Sequence, residues 1–180
     1  MQSKIITPRF IVISLVILVA AISRVFPHIY NFTPIAAMAL TGGVYLTDKR
    51  LAFIVPLLAL FISDCLLELT TGWGFHNTMI YVYASFALTT LIGIYIRNKI
   101  GIQAIIAASL FSSVLFFIIT NFGVWAANGA KLGIAGLGAI YVAGIPFFGP
   151  TMIGDLFFNA ILFGLFYLAQ QKIPAFQKVK

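Results

Sequence analysis

Carboxylates are scarce in this chain, which has only four acidic residues among 180. One of them, Asp155, lies near the outer end of the last apolar segment, within IPFFGPTMIGDLFFNAIL. A carboxylate in such a segment is either ionised beside a cation or neutral, and Arg24 and Lys131 are the candidate partners. Two interpretations stay open: an ion pair that joins helix ends, or a group that contacts a ligand or holds a proton.

Two further carboxylates, Asp64 and Glu68, are four residues apart and therefore lie on one face of a helix. Because carboxylates this close repel each other, either one of them holds a proton or both bind the same cation. We expect Glu68 to be solvated near the outer water and Asp64, which lies deeper, to have the functional role. No third residue at a suitable spacing completes a glycosidase or protease site.

Asn121 and Trp125 are also four residues apart, in TNFGVWAANG. A buried amide and an inward-facing indole suit a ring-bearing ligand, through hydrogen bonding and stacking. Tyr141, in the segment that follows, is placed to cover the same cavity from above. The alternative for Trp125 is an anchor in the aromatic belt at the membrane surface.

His28 and His76, with one of the nearby carboxylates, have the donor atoms for a transition metal, but their spacing matches no known metal motif. Cys65 adjoins Asp64 and is expected to be a packing residue. The chain lacks the H-E-x-x-H, G-x-S-x-G and P-loop patterns. We therefore predict no enzymatic activity, no cofactor and no metal site, and a chain that cannot power transport with ATP by itself.

The composition indicates what kind of element must position these residues, since 62% of the chain is hydrophobic and 8% is charged. A soluble domain is usually about 25% charged. We predict a single integral membrane domain over residues 1–180, an all-α membrane protein with six transmembrane helices. The six predicted helices are 10–26, 34–46, 51–69, 78–96, 102–126 and 151–169.

A seventh apolar segment, residues 132–148, is rich in glycine and closed by Pro146. If this segment crossed the membrane, the lysines at the C-terminus would move to the opposite side from the other basic residues. We therefore predict a short interfacial or re-entrant helix before the last transmembrane helix. Backbone of that kind is tolerated at depth where protein or a water-filled cavity surrounds it.

The basic residues are sorted by side of the membrane. If the chain crosses six times, nine of the eleven fall on one side, and only Arg24 and Lys131 fall on the other. Basic loops stay cytoplasmic, so we expect a multi-pass protein of the inner (plasma) membrane with both termini in the cytoplasm. This sorting accounts for the net charge of +7 without a nucleic-acid partner.

The remaining polar residues gather toward the predicted outer half, which suggests a site open to the outside because polar groups are costly in lipid. They are His28, Asn31, Asp64, Glu68, His76, Asn77, Asn121 and Asp155.

Small residues recur at a spacing of four, as helices that pack closely in lipid require. The pairs are Ala39 and Gly43, Ala104 and Ala108 (continued by Ser112), and Ala160 and Gly164. Internal packing is one interpretation, and docking of a partner helix is the other.

Four stretches resemble an uncharacterised family of small bacterial integral membrane proteins: NFTPIAAMALTGGVYL, AFIVPLLALFISD, TNFGVW and IPFFGPTMIGDLFF. More distantly, the size, the six helices and the outward-facing polar cluster are similar to those of the S components of energy-coupling factor (ECF) transporters. That resemblance implies capture of a small micronutrient at the extracytoplasmic face, with a separate coupling module that supplies energy. S components often have an A-x-x-x-A pattern in the first helix, whereas this chain has Ala20 and Ala21 adjacent.

The ligand-binding residues that we predict are Asn31, Asp64, Asn121, Trp125, Tyr141 and Asp155. The expected partners are the lipid bilayer, the coupling module and a small-molecule ligand. The alternative function is a non-transporting scaffold that assembles partners through its small-residue faces. A third possibility is an intramembrane enzyme that uses Asp64 with His28 or His76.

Overall fold

The computed structural model describes residues 7–26 and 31–173, and within these ranges the chain is entirely helical, without strands. Six α-helices follow one another, joined by short connections that include single turns of 3-10 or π geometry. The helices are α1 Pro8–Ile22, α2 Ile35–Tyr45, α3 Lys49–Thr71, α4 Met79–Ile96, α5 Ile102–Val124 and α6 Gly133–Lys172. The all-α class predicted from the composition is therefore confirmed.

Five of the six helices are long and apolar enough to cross a membrane, and only α2 is not. Its 11 residues are about 16 Å long, against a hydrocarbon thickness of about 30 Å. The structure is therefore consistent with a multi-pass membrane protein. The number of crossings and the side on which the termini lie stay predictions.

The short helix α2 is the centre of the bundle. Every residue from Ala36 to Leu46 is buried, and α2 contacts all five of the other helices. Because its longer neighbours enclose it completely, α2 does not need to match the thickness of the bilayer. It can therefore be short without exposing backbone to lipid.

Glycine permits the closest contacts of α2. A Cβ atom added at Gly93 of α4 would lie 2.9 Å from the Cα atom of Gly43, so neither residue has room for a side chain. On the opposite side, Gly42 packs against the ring of Pro56 in α3. Ala39 is fully buried in the same helix, so the predicted pair Ala39 and Gly43 serves internal packing.

Arg97, just after α4, joins α4 to the C-terminal end of α2. Its Nη2 atom donates to the carbonyl oxygens of Gly43 and Leu46, at 2.7 and 3.0 Å, and its Nη1 atom donates to Thr47 at 3.0 Å. A cation at this position satisfies the free carbonyls at the C-terminus of α2 and complements the helix dipole. This end of the bundle also carries Lys49 and Lys99, and we call it the basic end.

The structure corrects the prediction for the last third of the chain. Residues 132–148 and 151–169 were expected to form two elements, but Gly133–Lys172 is one helix of 40 residues, about 60 Å long. Pro146 was expected to close the first of these elements, but both Pro146 and Pro150 lie inside the helix. A proline within a membrane helix is tolerated where neighbouring groups satisfy the backbone that it frees.

The first section of α6 contacts the end of α5 and the turn that follows it. Trp125 and Asn121 are four residues apart on the chain, about 6 Å along a helix axis. Their contacts on α6, Gly133 and Gly144, are eleven residues and about 16 Å apart. The section from 133 to 144 therefore packs against the end of α5, and its depth in the bilayer stays a prediction.

Candidate functional site

A cavity of about 330 Å³ lies at the end of the bundle opposite the basic end. It is bordered by the connections α1–α2 and α3–α4 and by α2, α4, α5 and α6. Its polar lining residues are Arg24, Asn31, Thr33, His76, Thr78, Thr89, Thr120, Thr151 and Asp155. Its apolar lining residues are Ile35, Ala36, Val82, Phe86, Phe116 and Val124.

A smaller cavity of about 140 Å³ adjoins the first, because both are lined by Asn31, Phe116 and Thr120. Asn121 and Gly144 line only this smaller space. The two volumes together form a polar region between α5, α6 and the start of α2.

Asp155 projects from α6 toward α5 and is 3% exposed. The Ser113 hydroxyl donates to its Oδ2 atom over 2.6 Å. Among the described residues no basic side chain pairs with this carboxylate, so the ion pair with Arg24 or Lys131, one of the two interpretations considered, is not formed there. Lys131 is exposed in the turn before α6.

Arg24 instead pairs with Asp64. The Arg24 Nη1 atom lies 2.7 Å from Oδ1 of Asp64 and also donates to Ser63 Oγ at 3.2 Å. The Tyr83 hydroxyl donates to the other oxygen of Asp64 at 2.7 Å. Since both carboxylate oxygens have partners, this network fastens α3 to α4 and to the turn after α1. Asp64 lines neither cavity.

Glu68 likewise has a structural contact. Its Oε2 atom accepts hydrogen bonds from the backbone N–H groups of Gly74 and Phe75, at 2.9 and 3.1 Å. The side chain therefore holds the loop after α3 against that helix. Asp64 and Glu68 are not bonded to each other, although their spacing suggested a shared proton or a shared cation.

Trp125 and Tyr141 hold the start of α6 against α5. Trp125 donates from Nε1 to the Gly133 carbonyl at 3.0 Å, and the Tyr141 hydroxyl donates to the Ile118 carbonyl at 2.7 Å. Neither residue lines a cavity, so the structure does not bring them together with Asp155. Asn121 does border the smaller cavity, and its amide donates to the Phe117 carbonyl at 2.8 Å.

Of the six residues predicted to bind a ligand, Asn31 and Asp155 therefore line the larger cavity and Asn121 lines the smaller one. Asn31 has a positive φ of 62°, a conformation that asparagine adopts more readily than most residues. Its place at the start of the chain leading into α2 brings its side chain to both cavities.

Three threonines of the lining were missed in the sequence. Thr89, Thr120 and Thr151 belong to three different helices, and each donates its hydroxyl hydrogen to the carbonyl four residues earlier. Threonine in an apolar helix usually makes this local bond, so its presence alone gives no signal. Only the packing of α4, α5 and α6 around one space shows that they belong together.

Metal ligands are not assembled in the part of the chain that the structure describes, where no three His, Cys, Asp or Glu side chains form a group. The Nδ1 atom of His76 lies 2.8 Å from Thr78 Oγ1, within hydrogen-bond distance. His28, the other histidine considered for a metal, lies outside the described residues.

These features define a class: an α-helical membrane-type protein with a polar cavity at one end of its bundle. Over residues 4–176 the chain matches a family described as "Family of unknown function (DUF6580)", and it belongs to that family. No curated protein and no solved structure matches it. The resemblance to an uncharacterised family is thereby supported.

Proposed function

We propose that this protein binds a small polar solute at the extracytoplasmic face of the membrane, as the first step of uptake. The observation that supports this most is the cavity of about 330 Å³ with polar residues from several elements. Sites for small molecules usually measure about 300–1,000 Å³. Polar and charged residues within apolar helices are costly, and they most often mark a solute or ion site.

The position of the cavity supports the extracytoplasmic side. It lies at the end of the bundle opposite Lys49, Arg97 and Lys99. Because basic loops stay in the cytoplasm, the opposite end would face outward. The same orientation would place both termini of the chain on the cytoplasmic side of the plasma membrane.

Uptake driven by ATP would require a second protein, because this chain has no P-loop. We propose a separate energising module, as the distant resemblance to ECF S components suggests. The absence of an A-x-x-x-A pattern in the first helix implies that any such module docks on another face.

The scaffold alternative is less well supported, because most of the small-residue faces are used inside the fold. Ala39, Ala108 and Ser112 are buried, whereas only Ala160 is well exposed and Gly164 has open space beside it. An intramembrane enzyme based on Asp64 is also disfavoured, since both oxygens of that carboxylate are bonded to Arg24 and Tyr83.

The proposal is tested by mass spectrometry of small molecules released from the protein after purification in mild detergent. Thr120→Leu places an apolar side chain in the cavity without breaking a tertiary hydrogen bond, because the Thr120 hydroxyl bonds only within its own helix. Thr70→Leu is the matched control, since Thr70 makes the same local bond but is exposed and away from the cavity.

We expect one compound to be released from the wild type and from Thr70→Leu, and to be reduced at least about tenfold in Thr120→Leu, since tenfold corresponds to about 1.4 kcal/mol of binding free energy. Identical small-molecule profiles for the three proteins, or no compound in the wild type, would contradict the proposed function.

A further inference from the structure

Two charged residues of the larger cavity's lining, Arg24 and Asp155, differ in whether they have a partner of opposite charge. Arg24 and Asp155 both line it, but Arg24 is already paired with Asp64 over 2.7 Å. Asp155 is bonded only to the neutral Ser113, among the described residues. A buried carboxylate that has no cation beside it is kept neutral by a proton, and a cation that reaches Asp155 can take the place of that proton.

The threonines favour the same kind of solute. Because Thr89, Thr120 and Thr151 each donate their single hydroxyl hydrogen to their own helix, their oxygen atoms can only accept from a solute. Oxygen acceptors thus converge on the cavity from α4, α5 and α6, with the Asp155 carboxylate among them. A solute with N–H or O–H donors complements these acceptors.

Aromatic residues complete this environment. Phe86, which is 1% exposed, and Phe116 both line the cavity. The face of an aromatic ring carries partial negative charge and attracts cations. Hydroxyl acceptors, a carboxylate and aromatic rings together favour a cation that has hydrogen atoms to donate.

We propose that the solute of this cavity carries a primary ammonium group, and that Asp155 receives it with the threonine oxygens as further acceptors. This inference rests on the proposed function and specifies the class of solute. Ser113 positions the carboxylate by its bond to Oδ2, which leaves Oδ1 without a partner among the described residues.

The inference is tested with propylammonium chloride as the probe and with the purified full-length protein in detergent. The shift in the unfolding temperature is measured against each protein's own value in sodium chloride of equal ionic strength. 1-Propanol has a similar shape without the charge, and tetramethylammonium has the charge without N–H donors. Asp155→Asn removes the carboxylate, and Glu68→Gln is the matched control because Glu68 lies outside both cavities.

We expect propylammonium to raise the unfolding temperature of the wild type and of Glu68→Gln more than 1-propanol or tetramethylammonium does. For Asp155→Asn, the propylammonium concentration that gives the same shift in unfolding temperature should rise by about tenfold or more, as expected for the loss of a charge-assisted hydrogen bond. An equal response to 1-propanol or to tetramethylammonium, an unchanged response in Asp155→Asn, or no response at all would overturn the inference.

The two proposals fail in different ways. A released compound that depends on Thr120 but contains no basic nitrogen would overturn the ammonium inference and leave the proposed function standing. If instead no Thr120-dependent compound is found, the proposed function fails, whatever the result with propylammonium.

Discussion

At the scale of single residues, partners decide which carboxylate is free to meet a ligand. Both oxygens of Asp64 are bonded, one to Arg24 and one to Tyr83, while Asp155 has a single bond from Ser113. A charge that is compensated inside the protein contributes to the fold, and one that is not compensated attracts something from outside it. The same distinction explains why Arg24 borders the cavity without making it cationic.

Tyr83→Phe should destabilise the protein by about 1–3 kcal/mol, because it removes a hydrogen bond to a buried charged group. Tyr95→Phe is the control, since Tyr95 lies on the same helix and is 88% exposed. We expect that control to stay within about 0.5 kcal/mol of the wild type. The measurement is the free energy of unfolding in detergent titrations, and equal values for the two variants would contradict the role given to Tyr83.

The sequence could place Asp155, Asn31 and Asn121 at one end of the bundle, because the sorting of charges and apolar segments defines two ends. It could not predict the partner of each charge. Arg24 and Asp64 are 40 residues apart, and only the packing of α3 beside the turn after α1 selects this pairing over one with Asp155.

At the scale of elements, the short helix α2 organises the bundle. It approaches α4 through Gly43 and Gly93 and α3 through Gly42 and Pro56, and Arg97 bonds the carbonyls at its C-terminus. Close backbone contacts with α3 and α4 and the capped C-terminus stabilise α2, although it has no lipid-facing surface. In this way the start of α2 contributes Ile35 and Ala36 to the lining of the larger cavity.

Gly43→Ala should destabilise the bundle by about 1–3 kcal/mol, as overpacking does in a dense core. The added Cβ atom would lie 2.8 Å from the Cα atom of Gly93, and both backbones are held inside helices. Gly164→Ala is the matched change, because a Cβ atom there meets nothing within 4 Å. We expect it to be neutral or to stabilise α6 by up to about 1 kcal/mol. Equal unfolding free energies for the two variants would refute the contact.

Arg97→Gln should cost about 2–3 kcal/mol, since a charged donor to the carbonyls of Gly43, Leu46 and Thr47 is lost. Lys99→Gln, two residues further on and exposed, should change the unfolding free energy by less than about 0.5 kcal/mol. The comparison uses the same detergent titration. A loss of similar size in both variants would indicate a general effect of charge rather than capping of α2.

Hydrophobicity predicted the first five helices to within a few residues, because long apolar runs separated by charges and turn residues leave little choice of boundary. The prediction for 132–148 and 151–169 was wrong in its connection, since Pro146 and Pro150 lie within one helix. Whether proline ends a helix depends on what surrounds the freed carbonyl groups, which is a property of tertiary packing.

At the scale of the whole molecule, polar chemistry is divided between two ends. The basic end has Lys49 and Arg50 at the start of α3 and Arg97 and Lys99 between α4 and α5, and the other end has the cavity. The sequence indicated this division, but it could not show a cavity or its volume. Those depend on how three helices diverge around Thr89, Thr120 and Thr151.

The proposed orientation, with the cavity facing outward, predicts which loops react with a membrane-impermeant thiol reagent in intact cells. In a Cys65→Ser background, Trp73→Cys should be labelled from outside, because Trp73 is 85% exposed in the loop beyond α3. Lys99→Cys, at the basic end, should react only after the cells are opened. The reverse pattern would place the cavity on the cytoplasmic side and contradict uptake from outside.

The most direct measurement of the central claim, that the cavity is a solute site, is native mass spectrometry of the intact protein released from a mild detergent. We predict a bound mass of one small molecule per chain in the wild type and in Thr70→Leu, and the bare chain in Thr120→Leu. A wild-type protein that carries no added mass, or a Thr120→Leu protein that carries the same mass as the wild type, would contradict the claim.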